Sequence, residues 1–389
     1  MNEKKHSTPV IVLSVLLAVS LVLLAVSGAY IAMVLRYIPA DDLLELAAVR
    51  SIIDRNFVLE YDEEAFSDGM LSGLVESLGD RYSVYRDYEE HGAYIYDVMG
   101  EFGGIGVAMS KNEEGRICVL RVYPDTPAEK GAVAEGDCIL AVNGEPVAED
   151  IEAVAESIRG EEGSEVTLTF YRPSDDTTFE KTFRREMISE ETTVSRMLTD
   201  KIGYLCITAF NNKTAEETIN ALTALEESGA EALVLDLRDN RGGNVSAAVK
   251  IADHFLDEGV IYTVIRKNGK ETPVLSDAEQ DAIPLCVLTN DGTGSASELL
   301  SGALKDRGRA KLVGEKTHGK GIMQNQYRLP GGVLTLTFAE YATPDGVRIH
   351  QKGIAPDVEV SLNPEDRLRW PILTLEQDFQ LQKAIEILQ

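Results

Sequence analysis

Between Ile202 and Phe255 the chain spells strand, helix, strand and helix in close succession, and nothing else in it restricts the fold as much. Ile202-Gly203-Tyr204-Leu205-Cys206-Ile207 is a strand-like apolar run. From Thr214 to Ser228 apolar residues recur at helical spacing, with Thr214 in cap position and Glu217 where a capping box would put it. Ala232 to Leu237 is a second, buried strand, and the Gly242-Gly243 turn after it leads into a helix from Val245 to Phe255. Strand, helix, strand implies a parallel crossover, hence an α/β sheet. Open sheets of that kind bind ligands beyond the carboxyl ends of their strands, and the glycine turn stands at such an end.

The pattern returns downstream. Leu285-Cys286-Val287-Leu288 is an apolar strand, Asp291-Gly292-Thr293-Gly294 a tight turn, and Ser295-Ala296-Ser297-Glu298 opens a helix carrying Leu299, Leu300, Ala303 and Leu304. Ser295 admits two readings. It can be an N-cap with Glu298 completing a capping box. It can equally be a nucleophile projected at a helix start, where unpaired backbone N–H groups offer an oxyanion site.

Lys320 bears on that choice. It sits in Val313-Gly314-Glu315-Lys316-Thr317-His318-Gly319-Lys320-Gly321-Ile322-Met323-Gln324, between glycines that let the backbone pack closely and shield the side chain. A lysine acting as a base near neutral pH needs its pKa to fall from about 10.4 to roughly 7 or 8, about 4 kcal/mol of differential solvation. Burial supplies that, and lysines tuned in this way activate serine nucleophiles.

Together these residues resemble the carboxy-terminal processing peptidases, also called tail-specific proteases, over about Asp41 to Gln389. In that family the nucleophile stands in an S-A-S-E run, the lysine in G-K-G 25 residues later and a glutamine four beyond it, as Ser295, Lys320 and Gln324 do here. The resemblance implies Ser295 as nucleophile, Lys320 as general base and Gln324 as the residue that orients the lysine amine. A D-L-R-x-N-x-G-G block, here Asp236-Leu237-Arg238-Asp239-Asn240-Arg241-Gly242-Gly243, implies an oxyanion hole from the N–H groups of Gly243 and Ala296. No metal or other cofactor is implied, and no H-E-x-x-H pattern points to a metalloprotease.

Some positions depart from the family pattern. Thr293 and Gly294 stand where a second Ser-Ala is common, Arg241 replaces a frequent Pro or Gly, and His318 replaces a usual aromatic. None of these removes a catalytic group. His318 is a rival base, because residues two apart on a strand face the same side. Asp236 and Arg238 read as a structural pair tying the turn.

Upstream, about Glu101 to Arg185 changes to short strands and turns, with a short helix at Ile151 to Ile158 and strands at Val166 to Tyr171 and Thr178 to Phe183. This resembles a PDZ domain in the bacterial strand order. Consecutive N–H groups around Gly103, Gly104, Ile105, Gly106 and Val107 would hold a peptide's terminal carboxylate, and the next strand would add the peptide as a sheet edge. Arg159 matches a family position implied to sense bound peptide, and it also reads as an ordinary arginine ending a helix.

The N-terminal end bears on where the chain works. Lys4, Lys5 and His6 precede an apolar stretch from Val10 to Leu35, long enough as a helix to cross a bilayer core of about 30 Å. Ser27-Gly28-Ala29 would suit a signal peptidase, but the stretch exceeds the apolar region of about 7 to 15 residues in a cleaved signal. Two lysines before the span against Arg36 after it place the catalytic part outside the cell membrane. From Asp41 to about Glu90 apolar residues recur at helical spacing, and Gly79-Asp80-Arg81-Tyr82-Ser83 reads as a turn ending the second helix. By resemblance this helical region packs on the protease part and can mediate a homodimer.

The chain carries 65 Asp and Glu against 37 Lys and Arg, so no basic stripe offers itself to nucleic acid. Cys118, Cys138, Cys206 and Cys286 lie in separate apolar runs without metal-site spacing and are expected to be buried free thiols.

The expected organisation is a stub and membrane anchor at 1–40, helices at 41–97, a PDZ domain at 98–185, a protease core at 186–365 and a C-terminal helical segment at 366–389. The implied class is α/β and α+β multidomain, with a ClpP/crotonase-like α/β core. The expected activity is that of a membrane-anchored serine endopeptidase that cleaves C-terminal or unstructured segments of extracytoplasmic proteins through a Ser-Lys dyad. Protein or peptide substrates with accessible C-termini would be captured through the PDZ domain, which by resemblance can also gate the site. The alternative is a non-catalytic PDZ adaptor on a degenerate protease fold.

Overall fold

A computed structural model describes residues 7–112, 114–148, 150–367 and 373–389. Lys4, Lys5 and His6 lie outside the described residues. The chain divides into two compact units, Met1–Ser67 and Asp68–Gln389. The first opens with α1 (Ser7–Tyr37), of which Val12–Tyr37 has a mean hydropathy of 2.6 and is long and apolar enough to cross a membrane. Within α2 (Ala40–Asn56), Arg50 pairs with Asp54 one turn on at 2.9 Å, and it reaches Glu63 beyond the helix at 2.5 Å. Glu63 begins α3 (Glu63–Glu76), whose residues straddle the division.

In the second unit a turn leads to β1 (Val84–Asp87), α4 (Tyr88–Met99) and β2 (Glu101–Gly104). The Asp87 carboxylate accepts from Glu90 N, and Gly100 at φ 62° closes α4 in the left-handed conformation glycine tolerates. Next come β3 (Val107–Lys111), β4 (Ile117–Val122), α5 (Pro127–Lys130), β5 (Cys138–Val142), β6 (Glu145–Pro146), α6 (Ile151–Ile158), β7 (Glu165–Arg172) and β8 (Thr177–Arg184). They form a sheet of order β3-β4-β5-β7-β8, with β6 paired on β5, closed over Ile105, Val119, Ile139, Leu168 and Phe170. The strands and helix expected here lie where the sequence placed them.

Two expectations are corrected. Cys118 and Cys138 form a disulfide rather than free thiols, since β4 and β5 are antiparallel and set the two residues directly opposite one another. Cys206 and Cys286 are free and buried, and burial pushes both thiols up to about 12. Thr214 is not the cap of its helix. Asn211 Oδ1 accepts from Lys213 N and Thr214 N, and the Glu217 carboxylate reaches Thr192 instead of closing a capping box.

After β9 (Glu186–Ser189), which pairs with β2, the chain continues with β10 (Thr193–Met197), β11 (Ile202–Ile207), α7 (Thr214–Glu227), β12 (Ala232–Asp236) and α8 (Val245–Phe255). Then follow β13 (Gly259–Arg266), β14 (Glu271–Ser276), β15 (Leu285–Thr289), α9 (Ala296–Asp306), β16 (Ala310–Gly314), β17 (Ile322–Leu329), β18 (Gly332–Ala342), β19 (Val358–Glu359), α10 (Pro364–Arg367) and α11 (Phe379–Leu388). The main sheet runs β10-β11-β12-β15-β16-β19, parallel from β11 onward as the crossover pattern requires. Helices α7, α8 and α9 bury one face of it with Leu222, Ile251, Phe255 and Leu300. Leu381, Ala384 and Ile385 of α11 cover the other, against Tyr204, Val234 and Leu288. A second sheet, β1-β18-β13-β14 with β17 on β18, stands beside it.

Asp236 and Arg238 are the structural pair their sequence suggested, and they are fully buried. The guanidinium bonds Asp236 at 2.6 Å and Asp378, the N-cap of α11, at 2.8 Å. This ion cluster fastens the C-terminal helix to the strand that ends at the glycine turn.

Candidate active site

Strand β15 ends at Thr289, and its chain turns sharply before α9. Thr293 Oγ1 donates to Leu237 O at 2.8 Å, while Gly294 N and Ser297 Oγ both donate to Asn240 O at 2.9 Å. Held in this way, Ser295 adopts φ 54°, ψ −115°, a conformation foreign to L-residues that costs about 1–3 kcal/mol. Such a bend between strand and helix lifts a side chain clear of the sheet.

The Gly242-Gly243 turn lies directly against this bend. A Cβ on Gly242 would fall 2.8 Å from Gly294 O and from Ser295 Cβ and 2.9 Å from Ala296 N, and φ is +102° there, so only glycine fits. Among the described residues, the N–H groups of Gly243 and Ala296 have no hydrogen-bond partner. One free donor thus follows Ser295 directly, and the other follows the glycine packed against it; free backbone donors at a bend of this kind are what an oxyanion site would draw on.

One buried carboxylate joins this turn to the lysine loop. Glu298 Oε2 accepts from Ser295 N at 2.9 Å and from Lys320 N at 2.8 Å. Its Oε1 accepts from Thr317 Oγ1 and Gly319 N, both at 2.6 Å. Tyr341 Oη adds a second tie, 2.9 Å from Ser295 O and 3.3 Å from Lys320 O. Glycine is needed beside Lys320, because a Cβ on Gly321 would lie 2.5 Å from His350 N.

Lys320 itself is half-buried. Burial holds its amine below the usual lysine range, as do the nearby charges of Arg81 and Arg86, against the opposing pull of Asp80 and Glu298. Among the described residues no hydrogen bond joins Lys320 Nζ to Ser295 Oγ or to Gln324. The amine lies 5.1 Å from the centroid of the Tyr82 ring. Gln324 sits on β17 opposite Thr337, just past a register shift between Met323 and Gln324.

Other residues singled out from the sequence stand elsewhere. His318 is in the loop between β16 and β17 and not on a strand, so the shared-face argument for it fails; its ring is exposed and faces Arg81 Nη2 at 3.4 Å. Gly103 and Gly104 belong to β2, paired with β9, which corrects the expected loop. Of that group, Ile105 and Gly106 form the loop proper, with no partner for their N–H groups among the described residues, and Val107 starts β3. Arg159 ends α6, pairs with Glu152 at 2.8 Å and stacks on Tyr96 and Phe102 at 4.2 and 5.1 Å. The double tie through Glu298, and the presence of Tyr82 and Tyr341, escaped sequence reasoning; no local pattern announces contacts between such distant segments.

A family model described as Peptidase family S41 matches residues 201–360, and one described as a PDZ domain matches 119–172. The chain is 33% identical over 332 residues to the carboxy-terminal processing protease CtpA of Bacillus subtilis (strain 168), covering 84% of this chain and 70% of that one. It is 35% identical over 327 residues to a probable CtpA-like serine protease of Staphylococcus aureus (strain COL), covering 82% of this chain and 65% of that one. Among solved structures, the photosystem II D1 C-terminal processing protease superposes with a TM-score of 0.48 at 26% identity, over 83% of this chain and 94% of that one.

Proposed function

The chain belongs to the carboxy-terminal processing proteases, serine peptidases of family S41, and from that premise we propose that it is a membrane-anchored endopeptidase working through a Ser295–Lys320 dyad. What carries the reading is the shared carboxylate of Glu298, which accepts from the backbone of both residues at once. The strained bend at Ser295 and the two unpaired N–H groups support it.

The Ser295 hydroxyl attacks the scissile carbonyl carbon while its proton passes to the neutral Lys320 amine. Negative charge builds on the carbonyl oxygen and is met by the N–H groups of Gly243 and Ala296. The C–N bond then breaks, the lysine ammonium returns the proton to the leaving amine, and an acyl-serine remains. Water attacks that ester with Lys320 again as base, freeing the new C-terminus and restoring the serine. Gln324 orients the amine once substrate draws Lys320 toward Ser295.

The PDZ domain captures an unstructured or C-terminal segment at Ile105–Val107, and Arg159 beside β2 reports its arrival to the protease part. Helix α1 anchors the chain, with the catalytic part outside the membrane. To test this, full-length protein in detergent is incubated with a denatured protein, beside its Ser295→Ala and Lys320→Ala variants. Cleavage by the wild type and by neither variant is expected. Equal cleavage by all three would end the dyad reading, and peptide binding without turnover would favour the adaptor.

A further inference from the structure

We propose that the turn from Gly79 to Ser83 completes the catalytic base: the Tyr82 ring is a positioning residue that holds the Lys320 amine and screens it from water, with the Arg81 guanidinium stacked on that ring beside it. The proposal rests on the Ser295–Lys320 reading.

The turn is built to place a side chain rather than merely to reverse the chain. Gly79 at φ +69° starts it. Asp80 Oδ1 accepts from Tyr82 N at 3.1 Å, and Oδ2 accepts from Ser83 Oγ at 2.7 Å. Buried Ser83 Oγ in turn accepts from Thr337 N at 3.0 Å, and Thr337 is the β18 residue opposite Gln324. The position of Tyr82 and the register of Gln324 are thus set by one residue of β18.

From that anchor the Tyr82 ring centroid lies 5.1 Å from Lys320 Nζ. Arg81 Cζ lies 4.7 Å from the same centroid, and Arg81 Nη2 is 2.5 Å from Tyr82 Oη and 3.4 Å from His318 Nε2. The charged groups acting on the amine are Arg81 and Arg86, which disfavour its proton, and Asp80 and Glu298, which favour it. The His350 ring meets Tyr82 edge to face, its centroid 6.2 Å away. The aromatic face attracts the ammonium and, by packing over the side chain, keeps the neutral amine in the same place, while the guanidinium beside it makes protonation harder.

The experiment uses the full-length protein in detergent with a fluorogenic peptide, recording kcat and KM from pH 5 to 10. A lysine base works when neutral, so activity rises with pH through its pKa. Arg81 is exposed, so Arg81→Gln leaves the fold intact; it should move the acid limb up by about 0.5 to 1 pH unit, with Arg81→Lys leaving it in place. Tyr82→Leu, which fills the space without a ring, should lower kcat at the alkaline plateau by about 10- to 100-fold with KM nearly unchanged, and Tyr82→Phe should restore it.

An unmoved limb in Arg81→Gln, or wild-type kcat in Tyr82→Leu, overturns the proposal. So does a higher kcat in Tyr82→Leu, which would mean that the ring parks the amine away from Ser295. Labelling of Ser295 by a fluorophosphonate separates this from the dyad itself: if Lys320→Ala labels and turns over like wild type, the premise has failed, whereas loss in Lys320→Ala with wild-type Tyr82→Leu sinks the turn alone.

Discussion

Glu298→Gln keeps the volume of a fully buried side chain and removes its charge. The carboxylate receives four hydrogen bonds, at 2.9 and 2.8 Å on one oxygen and 2.6 and 2.6 Å on the other. The amide settles with its oxygen toward Ser295 N and Lys320 N and its NH2 toward Thr317 Oγ1, which can accept as well as donate. Gly319 N is then orphaned, at about 1–3 kcal/mol, and the surviving bonds lose their ionic strengthening. The expected loss of stability is about 2–4 kcal/mol, with Ser295 and Lys320 still held together. Glu298→Ala releases all four donors, costs about 4 kcal/mol or more, and separates the two residues enough to slow acylation about 100-fold. Urea unfolding gives the stabilities, and the rate of fluorophosphonate labelling, far below the unfolding temperature, gives the acylation. Glutamate also favours the lysine proton, so the acid limb of activity in Glu298→Gln should move down in pH, opposite to Arg81→Gln. A Glu298→Ala protein within about 1 kcal/mol of wild type, labelled within about threefold of its rate, would refute the coupling.

Three further outcomes are expected. Gly242→Ala forces a methyl against Ser295 Cβ and Ala296 N at a positive φ, and should cost about 1–3 kcal/mol and nearly abolish labelling; a normally reactive variant would contradict the packing. Asp378→Ala strips a carboxylate from the buried Arg238 guanidinium and should cost about 3–5 kcal/mol, with α11 becoming sensitive to limited proteolysis. The disulfide spans 20 residues, so Cys118→Ser with Cys138→Ser should cost the PDZ part about 3 kcal/mol by calorimetry while Ser295 labelling is unchanged.

Regular elements were legible wherever one segment buries its own pattern. The α6 limits, the β7–β8 hairpin and the β11-α7-β12-α8 succession all follow from periodicity and turns within a few residues. What was not legible depends on register between distant segments. Cys118 and Cys138 share a bond because β4 and β5 align them, and neither run says so alone. Thr214 looked like a cap, yet it is the first residue of α7, and its Oγ1 accepts from Asn211 N and meets Thr192 Oγ1 at 2.7 Å, on a segment not adjacent in sequence. For the site, local pattern pointed to Ser295 and Lys320 and the family resemblance to Gly243, but the carboxylate that links the first two was read only as a local helix cap. It is that cap in part, since Ser295 N is one of its four donors. Tyr82 lies more than 200 residues from Lys320, and only folding brings them together.

Strand β1 pairs with β18 across the whole PDZ insertion, and Ser83 waits for Thr337, 254 positions later in the chain. At a synthesis rate of about 5–20 residues per second, the first of these partners is idle for roughly 13–50 seconds. During that interval the emerging polypeptide cannot close its second sheet. The turn that carries Tyr82 beside the Lys320 amine therefore gains its anchor on Thr337 only after nearly all of the chain has been made, so this side of the site is among the last parts to be fixed in place.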